Sequence, residues 1–196
     1  MKPASNNGFT LIELMVTIAI VAILIVLGFP SYSQWMRNNR IRNTADSIQN
    51  GLRLARSEAS QSGANVRFEL TSTASPATAN WTVCILPTGI TTCAGGGTTV
   101  QNFVAAGGAG DVQITASSNI ADTNTYSSAL SGGVPAGITF DALGRPSDYG
   151  NNSVLRIDAN SPGAGSRRMV TTISAGGMVR TCDSQLSLST SPQGCM

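Results

Sequence analysis

The sequence predicts an α+β fold in which one long N-terminal helix lies on antiparallel strands, and three features carry that expectation. An almost uncharged run from Phe9 to Phe29 contains one ionisable residue, Glu13. Beyond it, Ile41, Ala45, Ile48, Leu52, Ala55 and Ala59 recur at alternating intervals of four and three, which places them on one stripe of a helix. The remainder is rich in Gly, Ser, Thr, Ala and Asn and breaks into short β-prone segments separated by turns. At 196 residues, of which only 11% are charged, the chain suits one membrane anchor followed by one globular domain of about 130 residues.

Residues 1–8 form a short polar leader whose one cation is Lys2. Residues 9–29 follow as an apolar helix half, about 31 Å long at 1.5 Å per residue, enough for the hydrocarbon core of a bilayer. Pro30 removes a helical hydrogen bond at the junction and permits a kink or local melting. Residues 30–63 make the amphipathic half, with Gly63 as its C-terminal cap. The stripe on this half must bury against the strand-rich domain, whereas the apolar half has no partner within the chain and belongs in lipid or in the core of an assembly.

The β-rich head, 64–196, carries expected strands at Val66–Leu70, Trp81–Leu86, Val100–Val104, Val112–Ala116, Gly137–Phe140, Val154–Asp158, Met169–Ser174 and Met178–Cys182. Ala175-Gly176-Gly177 joins the last two as a hairpin. Ala94–Thr99 and Ala105–Gly110 read as glycine-rich loops, and Ala116–Gly133 as a long polar connection.

Cys84, Cys93, Cys182 and Cys195 are an even set, and the chain has no histidine. Three pairings are open. Cys84 with Cys93 and Cys182 with Cys195 is the simplest, because short loops need the least chain ordering, and each would contribute about 2 to 3 kcal/mol. Neither spacing is that of a zinc site, so no metal is expected. Disulfides put the head in an oxidising compartment outside the cytoplasm. Charge points the other way: Lys2 before the anchor against Arg37, Arg40 and Arg42 after it would place the head in the cytoplasm. The cysteines outweigh that count, since long domains are translocated regardless of flanking charge.

Catalytic patterns do not emerge. No G-x-S-x-G, P-loop or paired-carboxylate constellation is present, so neither an enzyme nor a cofactor is expected. The glycines around Gly95 and Gly107 lack the strand, helix and acid of a dinucleotide site. Asp141 to Pro146, through Gly144-Arg145, reads as a tight turn.

Glu13 requires a different explanation, because an ionisable residue inside an apolar span costs about 2.5 to 3.5 kcal/mol. Cutting the chain between Gly8 and Phe9 would create an amine, and in two staggered copies the amine of one could pair with Glu13 of the next. The segment Gly8-Phe9-Thr10-Leu11-Ile12-Glu13-Leu14 resembles the class III signal of type IV prepilins and of the pseudopilins of type II secretion. The resemblance implies that prepilin peptidase cuts after Gly8 and methylates Phe9, and that Glu13, with Pro30 beyond the apolar run, serves filament assembly. Further along, Gly137-Ile-Thr-Phe140-Asp-Ala-Leu-Gly144-Arg145-Pro146, Val154-Leu-Arg-Ile157, the Arg167–Ser174 strand and Gly177-Met-Val-Arg180 are similar to the signature of the GspH and FimT family of minor pilins and pseudopilins.

That family implies a type IV pilin-like fold whose C-terminal loop is closed by a disulfide, here Cys182 to Cys195. It also implies a single-pass inner-membrane protein with a periplasmic head, built into a pilus or pseudopilus beside other major and minor pilins. The leading expectation is a minor pilin that takes part in assembly and initiation at or near the pilus tip; the alternatives are capture of DNA in natural transformation and service in a type II secretion pseudopilus. Arg37, Arg40, Arg42, Arg53 and Arg56 give the helix a positive cast, and Arg167, Arg168 and Arg180 are the candidates for phosphate contact. Net charge is only +2. DNA-binding members of the family resemble one another in a Gly-Arg-x-Arg motif, and this chain reads Gly177-Met178-Val179-Arg180, one arginine short, so weak DNA affinity is expected.

Overall fold

The computed structural model describes residues 8–72, 78–105, 112–121, 137–151, 153–162 and 165–195, without the side chains of 27, 28 and 30. The leader before Gly8, the Pro30 side chain with its expected kink, the loop at 106–110 and most of the 116–133 connection lie outside the described residues. Two compact units emerge, Met1–Met36 and Arg37–Met196.

Helix α1 spans Leu11–Ser62. Its start is set by Thr10, whose Oγ1 accepts the Glu13 backbone N–H at 3.3 Å while its carbonyl accepts that of Leu14. Thr10 is therefore the N-cap, and Glu13 falls three residues on, at the carboxylate position of a capping box. Through the first unit every described large apolar side chain from Phe9 to Phe29 is exposed, between 52% and 84%. No single helix among the described residues is long and apolar enough to cross a membrane; Leu11–Val26 and Ser31–Ser62 meet the length and composition only when taken together.

In the second unit the stripe is buried: Ile41, Ala45, Ile48, Leu52, Ala55 and Ala59 are each 1% exposed or less. Gly51 lies on the same side, where a Cβ would stand 2.9 Å from the Phe68 ring and 3.1 Å from that of Trp81. A glycine within a helix costs about 1 kcal/mol relative to alanine, and here that loss lets the two rings press against the helix backbone. Trp81 Nε1 completes the contact by donating to Ser47 Oγ at 3.1 Å. The helix stops at Gly63, which takes a positive φ of 65° and donates its N–H to the Ala59 carbonyl.

Two sheets follow. β1 (Asn65–Leu70), β2 (Trp81–Leu86), β3 (Thr98–Phe103) and β5 (Gly137–Phe140) form the first in the order β3-β2-β1-β5, all antiparallel. β4 (Gln113–Ser117), β6 (Arg156–Asn160), β7 (Met169–Ile173), β8 (Val179–Ser187) and β9 (Gly194–Cys195) form the second in that order, antiparallel except for the parallel β8–β9 pair. Phe68, Phe140, Ile114, Ile138, Ile157 and Ile173 from both sheets are fully buried and join the helix stripe in one core.

Several strands differ from expectation at their ends. β6 begins at Arg156 rather than Val154 because the preceding residues carry the chain between sheets: Val154 N–H donates to the Gly137 carbonyl of the first sheet and Leu155 N–H to the Ser117 carbonyl of the second. β3 starts at Thr98, two residues earlier than Val100, since Thr98 and Thr99 pair with Ile85 and Cys84 across a register shift that leaves Val100 as the extra residue. Such a bulge on an exposed edge strand discourages further pairing. β8 runs on to Ser187, and β9 was not expected at all. The hairpin between β7 and β8 forms as expected, with Gly177 at φ 74° donating to the Ser174 carbonyl and Ser174 N–H donating to that of Met178.

Candidate assembly signal and arginine sites

At the N-terminal end, Gly8 and Phe9 are exposed, and a Cβ on Gly8 would meet nothing within 4 Å. Packing within the chain therefore does not explain a glycine there. Glu13 is exposed as well, in the first turn of α1, where a carboxylate complements the positive end of the helix dipole. Around it Leu11, Ile12, Leu14 and Met15 are 57% to 77% exposed, so one carboxylate stands in an apolar surface.

The four cysteines pair as the short-loop arrangement has it. Cys84–Cys93 joins residues nine apart, and Cys182–Cys195 joins residues thirteen apart. The first closes the segment that leads from β2 into β3. Its loop is held further by Glu69, whose Oε2 accepts the Cys93 N–H at 2.9 Å and faces Arg67 Nε at 3.0 Å. Arg67 also reaches Thr139 Oγ1 and Asp148 Oδ2, and Asp148 Oδ1 accepts the Thr139 N–H. This half-buried network locks β1 to β5 and to the loop after it; sequence reading missed it, because its members lie as far as 81 residues apart. The Asp141–Pro146 segment is the tight turn expected: Asp141 Oδ1 accepts the N–H groups of Leu143 and Arg145, and its carbonyl accepts that of Gly144.

The arginines proposed for phosphate contact do not share one setting. Arg167 faces Asp183 at 3.5 Å, and its backbone N–H donates to Asn38 Oδ1 at 3.0 Å. Arg168 Nε donates to Ser184 Oγ at 3.2 Å and stands 3.5 Å from Asp158 Oδ1. Arg180 Nη2 donates to the carbonyls of Gly194 and Pro192 at 3.0 and 3.3 Å, fastening the C-terminal loop that the second disulfide closes. An arginine not singled out as a site, Arg156, forms a bidentate pair with Asp158 at 2.7 and 3.0 Å and donates from Nη1 to the Ile120 carbonyl. Among the described residues, no group of three or more His, Cys, Asp or Glu could hold a metal ion.

A long helix half-exposed and half-packed on antiparallel sheet, a prepilin-type signal at its start and a disulfide-closed C-terminal loop define the class of type IV pilin-like subunits. Residues 3–29 match the prokaryotic N-terminal methylation motif, and residues 44–177 match the family described as Type II transport protein GspH. The chain belongs to that GspH family of minor pilins and pseudopilins. Among solved structures, it resembles the type IV minor pilin FimU of Pseudomonas aeruginosa at 17% identity, over 83% of this chain and 99% of that one, with a TM-score of 0.44. No curated protein matches the sequence.

Proposed function

We propose that this protein is a minor subunit of a type IV pilus, cut after Gly8 by prepilin peptidase, methylated on Phe9, and built into the filament at or near its tip, where it takes part in initiating assembly. Before assembly, residues 9–29 hold it in the inner membrane with the head on the periplasmic side. The observation that carries this reading is Glu13, one carboxylate exposed in an apolar surface that runs from Phe9 to Phe29. So large an exposed apolar face is unsuited to water and calls for lipid or other subunits. In either setting Glu13 needs a positive partner, and the amine of a cleaved neighbour supplies one. Gly8 adds support: nothing in the chain's own packing asks for it, whereas a peptidase that reads a small residue does.

A second reading, a pseudopilin of type II secretion, is favoured by the match of residues 44–177 to the GspH family. Deleting the gene and scoring twitching motility, transformation and protein secretion separates the machines. Loss of motility alone supports the pilus, loss of secretion alone the pseudopilus, and loss of transformation with motility intact a role in DNA capture.

A further inference from the structure

The chain has two tryptophans, and they stand in opposite settings. Trp81 is 2% exposed in the core of the head, and its indole N–H donates to Ser47 Oγ at 3.1 Å. Trp35 is 58% exposed on α1, one turn after Tyr32, which is 60% exposed. The two rings are neighbours on the helix surface, with centroids 6.0 Å apart and planes tilted by 33°. Among the described residues, no hydrogen bond within the chain engages the Tyr32 hydroxyl or the Trp35 N–H.

Their place along the helix bears on what covers them. The apolar run ends at Phe29, and Arg37 is the next charged residue after Glu13, so Tyr32 and Trp35 fall where the sequence turns from apolar to polar, beside Ser31, Ser33 and Gln34. Residues 9–29 cover about 31 Å of helix, which matches a hydrocarbon core of about 30 Å, and a headgroup layer of about 5 to 8 Å flanks that core on each side. Tyr32 and Trp35 branch from the helix at most about 5 and 9 Å beyond Phe29, and helical side chains lean toward the N-terminus, which carries both rings back into that layer. Each residue joins an apolar ring to one polar tip, and the layer meets both needs, with acyl chains for the ring and water, phosphate and ester oxygens for the tip. Water alone would leave two adjoining rings wet, and a wholly apolar partner would leave both tips unpaired.

We propose that Tyr32 and Trp35 form a lipid-contact site that seats in the headgroup layer on the head's side of the bilayer, an inference that rests on the proposed placement of residues 9–29 in the membrane. The test reconstitutes the full chain alone in phosphatidylcholine vesicles that carry a nitroxide quencher on the headgroup, near the top of the acyl chain or near its end. Subtracting the fluorescence of Trp35→Phe from that of the parent isolates Trp35, since Trp81 is sealed in the head. The Trp35 emission should be quenched at least about twofold more by the headgroup or top-of-chain label than by the chain-end label. Moving the reporter, as Tyr32→Trp in the Trp35→Phe chain, should keep that preference and shift the maximum toward the top-of-chain label, because Tyr32 lies nearer the apolar run. Both variants change exposed positions and should leave the melting temperature of the head where it was. Quenching that is strongest at the chain end, equal at all depths, or absent with every label in a chain that floats with the vesicles would overturn the proposal while the membrane placement stands. A chain that does not float with the vesicles would overturn both.

Discussion

The two halves of α1 are drawn from much the same apolar residues, yet they meet opposite surroundings. From Phe9 to Phe29 the described large apolar side chains are all exposed, while from Ile41 to Ala59 the apolar stripe is sealed. A stripe can be satisfied by one sheet. An all-round apolar cylinder cannot, and in the proposed function its partner is lipid or other copies of the same kind of helix. The difference teaches that, if the proposed function holds, stability of the head and competence for assembly are written on separate stretches of one helix and should respond to different substitutions.

The largest effects expected are in the first stretch and leave the head untouched. Gly8→Leu should block processing altogether, read as an N-terminal peptide that still begins at Met1 rather than at methylated Phe9. Glu13→Ala should keep membrane levels near those of the parent and remove the protein from sheared filaments; unchanged incorporation would end the charge-pairing account.

Substitutions in the second stretch should show the reverse. Leu52→Ala, at a fully buried position, is expected to destabilise the head by about 2 to 5 kcal/mol in chemical denaturation of the full chain, whereas Leu24→Ala should leave that transition where it was. If the two variants shift it equally, the division between halves fails. Converting both Cys84 and Cys93 to serine should cost about 2 to 3 kcal/mol and leave the second disulfide intact in peptide mapping. Gly51→Ala sharpens the contrast further. Alanine favours helix by about 1 kcal/mol, but the Phe68 and Trp81 rings leave its Cβ no room, so a net loss of about 1 to 2 kcal/mol is expected, visible as a lower melting temperature. The smallest effect concerns duplex DNA: affinity at physiological salt should be weak, with Arg180→Gln reducing the salt slope by no more than about one counterion in a mobility-shift titration.

Much of this was legible before any coordinates. The stripe on α1, the cap at Gly63 and the ends of β2 and β5 follow from periodicity and turn chemistry that are local in sequence. The N-terminal methylation motif is legible for a similar reason, its core being one contiguous heptapeptide. What sequence could not give depends on partners far along the chain. β6 starts late because two backbone N–H groups at Val154 and Leu155 bridge different sheets, and no side chain announces that. β9 is only two residues long and exists where the Cys182–Cys195 bond and Arg180 hold it to β8. The arginines were legible as charges but not as contacts: Arg180 fastens a loop, and Arg156 meets Asp158 two residues on along the same face of its strand.

The pattern of the cysteines bears on how the chain matures. Each bond joins a cysteine to the very next one in sequence, Cys84 to Cys93 and Cys182 to Cys195. As the chain emerges from its N-terminal end, an oxidant that links each new thiol to the one already waiting makes both native bonds without correction. The first loop can close before residues 94–196 have appeared, whereas the second waits until Cys195 has followed Cys182, so the two ends of the head are sealed at different stages of its emergence.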